Sequence, residues 1–86
     1  MMINVLKRDG EVAEFNLQKI GDAISKAFNA TQKIFNEDII NLLALRVTSD
    51  FQSKVKDGTI SVEDIQDSVE HILEQSGYTD VAKAYI

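Results

Sequence analysis

The sequence predicts an α+β domain: a small four-helix bundle capped by an N-terminal β-hairpin, with a short third strand near residues 59–60. Three observations carry this prediction. The dipeptide Asp9-Gly10 sits between two short segments, residues 3–8 and 11–15, and Asp-Gly between apolar runs is among the strongest hairpin signals. Four later segments show helical apolar spacing, opened by Asn16, Asn36, Ser61 and Thr79, residue types that cap helix N-termini. The chain has 86 residues, 44% of them apolar, with no Cys and no Pro. That is enough for one small core with no covalent staple.

Taken in order, a two-residue type I′ loop at Asp9-Gly10 would pair Arg8 with Glu11, Leu6 with Ala13 and Asn4 with Phe15. Leu6, Ala13 and Phe15 then face the core, and Val5, Lys7, Val12 and Glu14 face away. Asn16 caps the first helix, whose inner face is Ile20, Ala23, Ile24, Ala27 and Phe28. Phe15 before the cap and Ile20 after it form a hydrophobic staple. Gly21 interrupts this face, either for close helix packing or to leave room for a ligand.

Asn36 caps a second helix running to about Val55, with Glu37 and Asp38 suited to its positive end. Ile39, Ile40, Leu42, Leu43, Val47 and Phe51 give it a broad apolar face, and Gly58 reads as a stop signal. After Thr59 and Ile60, Ser61-Val62-Glu63-Asp64 matches a capping box. The third helix turns Ile65, Val69, Ile72 and Leu73 inward and ends at Gly77. Thr79 caps a fourth helix with Val81, Ala82, Tyr85 and Ile86 as apolar positions. That helix reaches Ile86 without a stop signal, so residues 1–86 read as a single domain at the N-terminus of a longer chain.

The formal net charge is −5, the wrong sign for a nucleic-acid surface. No apolar run approaches the roughly 20 residues of a membrane span, and a soluble, cytoplasmic domain is expected. The charge is uneven. Residues 1–35 carry Lys7, Arg8, Lys19, Lys26 and Lys33 against four acids, whereas residues 36–86 carry four cations against ten acids. A local basic site in an acidic body suits a small anion better than a polymer.

Signatures of catalysis are missing. There is no Gly-rich phosphate loop of either common form, no Cys nucleophile, and a single His, His71, that reads as a surface or boundary residue. No catalytic residue and no protein metal ligand is assigned. The cations Lys7, Arg8 and Lys19 are more informative. Lys19 falls in the first turn of a helix, where a cation opposes the dipole but suits a bound phosphate. A solvated charge set is the competing reading.

The pattern V-L-K-R-D-G-x-V-x-x-F-N-x-x-K-I, followed by S-V-E-D-I-Q-D-x-V-E and G-Y-x-x-V-A-K-A-Y-I, resembles the ATP-cone domain. Members of that family are nucleotide-binding regulatory modules of ribonucleotide reductases and of a bacterial repressor of reductase genes. The A-K-A-Y-I ending is most similar to the N-terminal regulatory cones of anaerobic ribonucleoside-triphosphate reductases. The resemblance implies a helical bundle under a three-stranded sheet, binding ATP or dATP as allosteric effector with Mg²⁺ on the phosphates.

It also implies site residues. Lys7, Arg8 and Lys19 would contact phosphates, Asn16 the adenine or its sugar, and Ile20 and Val5 the body of the nucleotide. Gln66 would take a position often held by His, and Lys83 would be a further phosphate contact. Some cones read the adenine amino group with an acid where this sequence has Ala13, which leaves Glu14 as the candidate. The implied partners are the reductase catalytic domain, other subunits and a ligand-dependent homo-oligomer. Three alternatives remain: a degenerate cone without nucleotide, a helical protein-interaction module, and the cone of a repressor, whose zinc ribbon would need Cys pairs absent here.

Overall fold

The computed structural model describes residues 3–85; Ile86, assigned above to the last helix, lies outside them. The order of elements is β1 (Asn4–Leu6), β2 (Val12–Glu14), α1 (Leu17–Ala30), α2 (Glu37–Phe51), a 3₁₀ turn (Gln52–Lys54), β3 (Thr59–Ser61), α3 (Val62–Gln75) and α4 (Thr79–Tyr85). The expected α+β architecture of four helices and a three-stranded sheet is what forms. Strand order is β2-β1-β3, with β1 antiparallel to β2 and parallel to β3.

The helices close a ring: α1 packs on α2, α2 on α3, α3 on α4, and α4 returns to α1. Their shared interior is Ile24, Phe28, Val47, Phe51, Val69, Leu73 and Val81, all buried. Ile3 and Ile60 carry the sheet onto this core. Phe28 meets Phe35 and Tyr78 at centroid distances of 5.4 and 5.0 Å, so one ring joins the α1–α2 and α3–α4 connections to α1. Gly21 lies buried against α2, and a Cβ there would sit 3.5 Å from Ile40 Cγ2. That is an ordinary contact, so the packing against α2 does not itself require a Gly, and Gly21 does not line the cleft described below.

Three caps form as the sequence indicates. Asn16 Oδ1 accepts from Gln18 N–H, Asn36 Oδ1 from Ile39 N–H and Ser61 Oγ from Asp64 N–H. The fourth differs. Thr79 lies inside α4, since Ala82 N–H donates to the Tyr78 carbonyl and puts the cap one residue earlier. The α2 helix stops at Phe51 rather than near Val55, because Gln52–Lys54 tighten into a 3₁₀ turn.

The hairpin register is shifted by one residue from the expected pairing. Val5 faces Ala13 and Leu6 faces Val12, because the loop has three residues rather than two. Gly10 N–H donates to Lys7 O, and Lys7 N–H donates to Glu11 O. Gly10 alone takes positive φ, at 89°, while the Asp9 carboxylate accepts from Glu11 N–H at 2.9 Å. This is a turn followed by a left-handed Gly that forms a bulge. A one-residue shift exchanges faces, so Val5 turns to the bundle and Leu6 to solvent, with Val12 at 61% exposure.

The expected type I′ turn forms at the other Asp-Gly. Asp57 and Gly58 have φ of 53° and 73°, and Lys56 and Thr59 exchange both backbone hydrogen bonds. Gly58 is therefore a turn residue leading into β3, not a helix stop. A further correction concerns α2: Leu42 is 57% exposed and does not share the core face, which is completed instead by Ala44.

Candidate functional site

A cleft of about 190 Å³ opens between the sheet and the helices. The sheet supplies Val5, Ala13 and the outgoing Glu14 and Phe15; α1 supplies Asn16, Lys19, Ile20 and Ala23; α3 supplies Val62 and Ile65; α4 supplies Tyr85; and Lys7 stands at the mouth. Val5 lies in β1 and Lys7 one residue past its end, two residues on, so both turn toward this space. Phe15 anchors the corner edge to face on Phe51, with centroids 5.4 Å apart.

Six of the expected residues therefore share one cleft: Val5, Lys7, Glu14, Asn16, Lys19 and Ile20. Among the described residues neither Lys7 nor Lys19 forms a salt bridge. The floor is apolar and the mouth cationic, which suits a ligand with a flat apolar body and an anionic tail.

Arg8 and Gln66 lie next door. They line a groove with Lys7, Asp9 and Val62, and a recess with Glu70 and Tyr85. Lys7, Val62 and Tyr85 also belong to the cleft, so the three spaces adjoin. Arg8 does not pair with Glu11 across the hairpin. Its Nε donates to Glu63 Oε2 at 3.1 Å and its Nη2 to Gln66 Oε1 at 2.7 Å. Lys83 is exposed on α4 and lines none of these spaces. His71 is exposed on α3, as expected.

The amides at the start of α1 contribute less than the sequence suggests. Gln18 N–H is taken by the Asn16 side chain and Lys19 N–H by the Asn16 carbonyl. What remains to attract an anion here is the side-chain ammonium groups and the helix dipole, which no acid offsets in this first turn. By contrast, α2 and α3 carry Glu37, Asp38 and Glu63, Asp64 at the same place.

Tyr85 is the wall residue that sequence reasoning missed, since its spacing marks it only as an apolar helix position. Burial and the nearby Glu70 carboxylate raise its phenol above the ordinary value of 10.0. Glu63 was missed as well. Its spacing of three from Gln66 puts both on one face of α3, but nothing local says that Arg8 meets that face.

The fold and cleft define a small α+β domain with an apolar cleft and cations grouped at one edge of it. A family model, the ATP cone domain, matches residues 3–86, and the chain belongs to this family. It is similar to the ribonucleoside-diphosphate reductase subunit alpha of Chlamydia pneumoniae, with 43% identity over 91 aligned positions that cover 99% of this chain and 9% of that protein. It is also similar to the anaerobic ribonucleoside-triphosphate reductase of Haemophilus influenzae, at 39% identity over 95% of this chain and 11% of that protein. The vitamin B12-dependent ribonucleoside-diphosphate reductase of Thermoplasma acidophilum is 40% identical over the whole chain and 11% of its own length. The chain thus spans about a tenth of these relatives, and the relatives include the anaerobic enzyme type expected from the sequence. Among the described residues no helix is long and apolar enough to cross a membrane.

Proposed function

We propose that this chain is an allosteric regulatory domain that binds ATP or dATP in the cleft beneath the sheet and controls a ribonucleotide reductase catalytic domain, itself supplying no catalytic residue. The observation that carries the reading is the convergence of Val5, Asn16, Ile20, Lys7 and Lys19 on one cleft, with both lysines unpaired among the described residues. The base and ribose would lie against Val5 and Ile20, within reach of Asn16 and Glu14. The phosphates would run along the mouth to Lys7, Lys19 and Arg8, carrying Mg²⁺ with them. Gln66 would act through Arg8, which it already holds. Lys83 joins the set only if α4 or the ligand brings the two together.

Regulation requires two arrangements of the domain and its partners that the two nucleotides favour differently. Since ATP and dATP differ by one ribose hydroxyl, the discrimination falls on groups near the sugar, of which Asn16 is the nearest polar candidate. The output would be a change in assembly with the catalytic domain, other subunits or further copies of the chain, in the cytoplasm.

The test is calorimetric titration with ATP, dATP and GTP in the presence of Mg²⁺, repeated on Lys7→Ala with Lys19→Ala. Adenine-selective binding that weakens about tenfold or more in the double variant is expected, since a charge-assisted hydrogen bond contributes about 1.5–3 kcal/mol. Absence of binding by the folded chain would overturn the reading. Size measurements with each ligand then test the assembly step.

A further inference from the structure

We propose that Glu63 is an internal counter-ion that competes with a triphosphate for Arg8, and so sets how tightly the cleft holds triphosphates as distinct from monophosphates. The inference rests on the nucleotide reading above and adds a residue that the reading does not contain.

Three cations stand near the mouth of the cleft, and they are not equivalent. Lys7 and Lys19 form no salt bridge among the described residues. Arg8 is occupied: its Nε is 3.1 Å from Glu63 Oε2 and its Nη2 is 2.7 Å from Gln66 Oε1. Together Nε and Nη2 form one planar edge of the guanidinium, the edge that fits a carboxylate or a phosphate in two-point fashion. Two side chains of α3 fill that edge. A phosphate can take it in two-point fashion only by displacing the Glu63 carboxylate, along with the neutral Gln66 amide oxygen.

The pair is built to exchange. The Arg8 and Glu63 side chains are 68% and 54% exposed, and ion pairs in water contribute little net free energy. A ligand carrying several negative charges outcompetes a single carboxylate. One phosphate held back at Lys19 does not reach the hairpin tip and leaves the pair intact. Glu63 therefore weakens triphosphate binding and leaves monophosphate binding alone. Displacement also unfastens the β1–β2 tip from α3, so that occupancy by a long polyphosphate is distinguishable within the domain itself.

The test compares ATP and AMP affinities, with Mg²⁺, for the wild-type chain, Glu63→Gln and Glu63→Asp. Because exposed pairs contribute only about 0.2–1 kcal/mol, Glu63→Gln should tighten ATP by about 1.5- to fivefold and leave AMP unchanged. Glu63→Asp keeps an acid in the first turn of α3 but withdraws the carboxylate from Arg8. It should show the same pattern, and it decides the matter if the Gln variant folds poorly. In the wild type, the Arg8 Nε–H resonance should move on adding ATP and stay in place with AMP. Unchanged or weaker ATP binding in both variants overturns the proposal, and the second result would make Glu63 a positioning residue for Arg8. Equal tightening of ATP and AMP also overturns it, as a general charge effect. In either case wild-type ATP binding leaves the nucleotide reading standing. A wild-type chain that binds neither nucleotide removes both.

Discussion

Phe15 meets Phe51 edge to face, with ring centroids 5.4 Å apart and ring planes at 81°. One ring stands at the exit of the hairpin and the other, fully buried, at the end of α2. The contact fixes the angle at which the sheet overhangs the bundle, and therefore the width of the cleft that Phe15 helps to line. Phe51→Ala should lower stability by about 3–5 kcal/mol, measured by denaturant unfolding. Phe15→Leu, at the half-buried partner, should be milder and should weaken ligand binding more than it weakens the fold.

Gly21→Ala should stabilise the domain. The added Cβ meets Ile40 Cγ2 at 3.5 Å, an ordinary contact, and the helix interior gains about 0.5–1 kcal/mol from the change. A rise in melting temperature is the expected readout; a fall would mean that α1 and α2 cannot accept even this contact.

Gln32→Gly should also stabilise, for the opposite reason. Gln32 ends α1 in the left-handed region, at φ 58°. The turn is a Schellman motif, with Gln32 N–H donating to Asn29 O and Lys33 N–H to Phe28 O. A side chain at such a φ costs about 1–2 kcal/mol, and a Gly there should recover about 1 kcal/mol after its own greater chain entropy.

Alkaline pH should expose Tyr85. Burial, then Glu70, raises its folded-state pKa above 10.0, so the unfolded chain loses the phenol proton first. The associated stability is fully present below pH 10 and is lost as pH rises from there through the folded-state value. Denaturant unfolding from neutral to strongly alkaline pH should show a steeper decline for the wild type than for Tyr85→Phe. Parallel curves would mean that the phenol is not held neutral by its surroundings.

Ser68 is buried on α3 with its hydroxyl unpaired among the described residues. Ser68→Ala should hold or increase stability, by up to about 1 kcal/mol, because an unsatisfied buried hydroxyl is unfavourable. A loss would show that the oxygen has a partner of its own, such as an internal water.

What could be read from the chain was what local chemistry decides. Asn16, Asn36 and Ser61 cap helices through contacts two or three residues away, and the apolar spacing of α1 and α3 identifies their buried faces. The two Asp-Gly dipeptides show the limit. At 57–58 both residues take positive φ; at 9–10 the Asp9 carboxylate captures Glu11 N–H and the turn becomes a bulged loop. The dipeptide is the same, and the register depends on which face the bundle must cover. Leu42, at 57% exposure, looks like a core leucine in sequence, because apolar character alone does not say which neighbour is present. In the cleft, residues within the hairpin–α1 segment were legible. Tyr85 in its wall, and Glu63 beside it on Arg8, were not, since each arrives from a distant part of the chain.

The sheet order has a bearing on how the domain is made. β1 is central, yet its second partner, β3, follows both α1 and α2 in the chain. As synthesis proceeds from the N-terminus, Asn4–Leu6 waits with one edge open until Thr59–Ser61 emerges to pair with it. That closure spans two helices and carries the entropy of a long loop. The roof over the cleft is therefore among the last parts to assemble, and a nascent chain halted before β3 would present an open strand edge instead of a binding site.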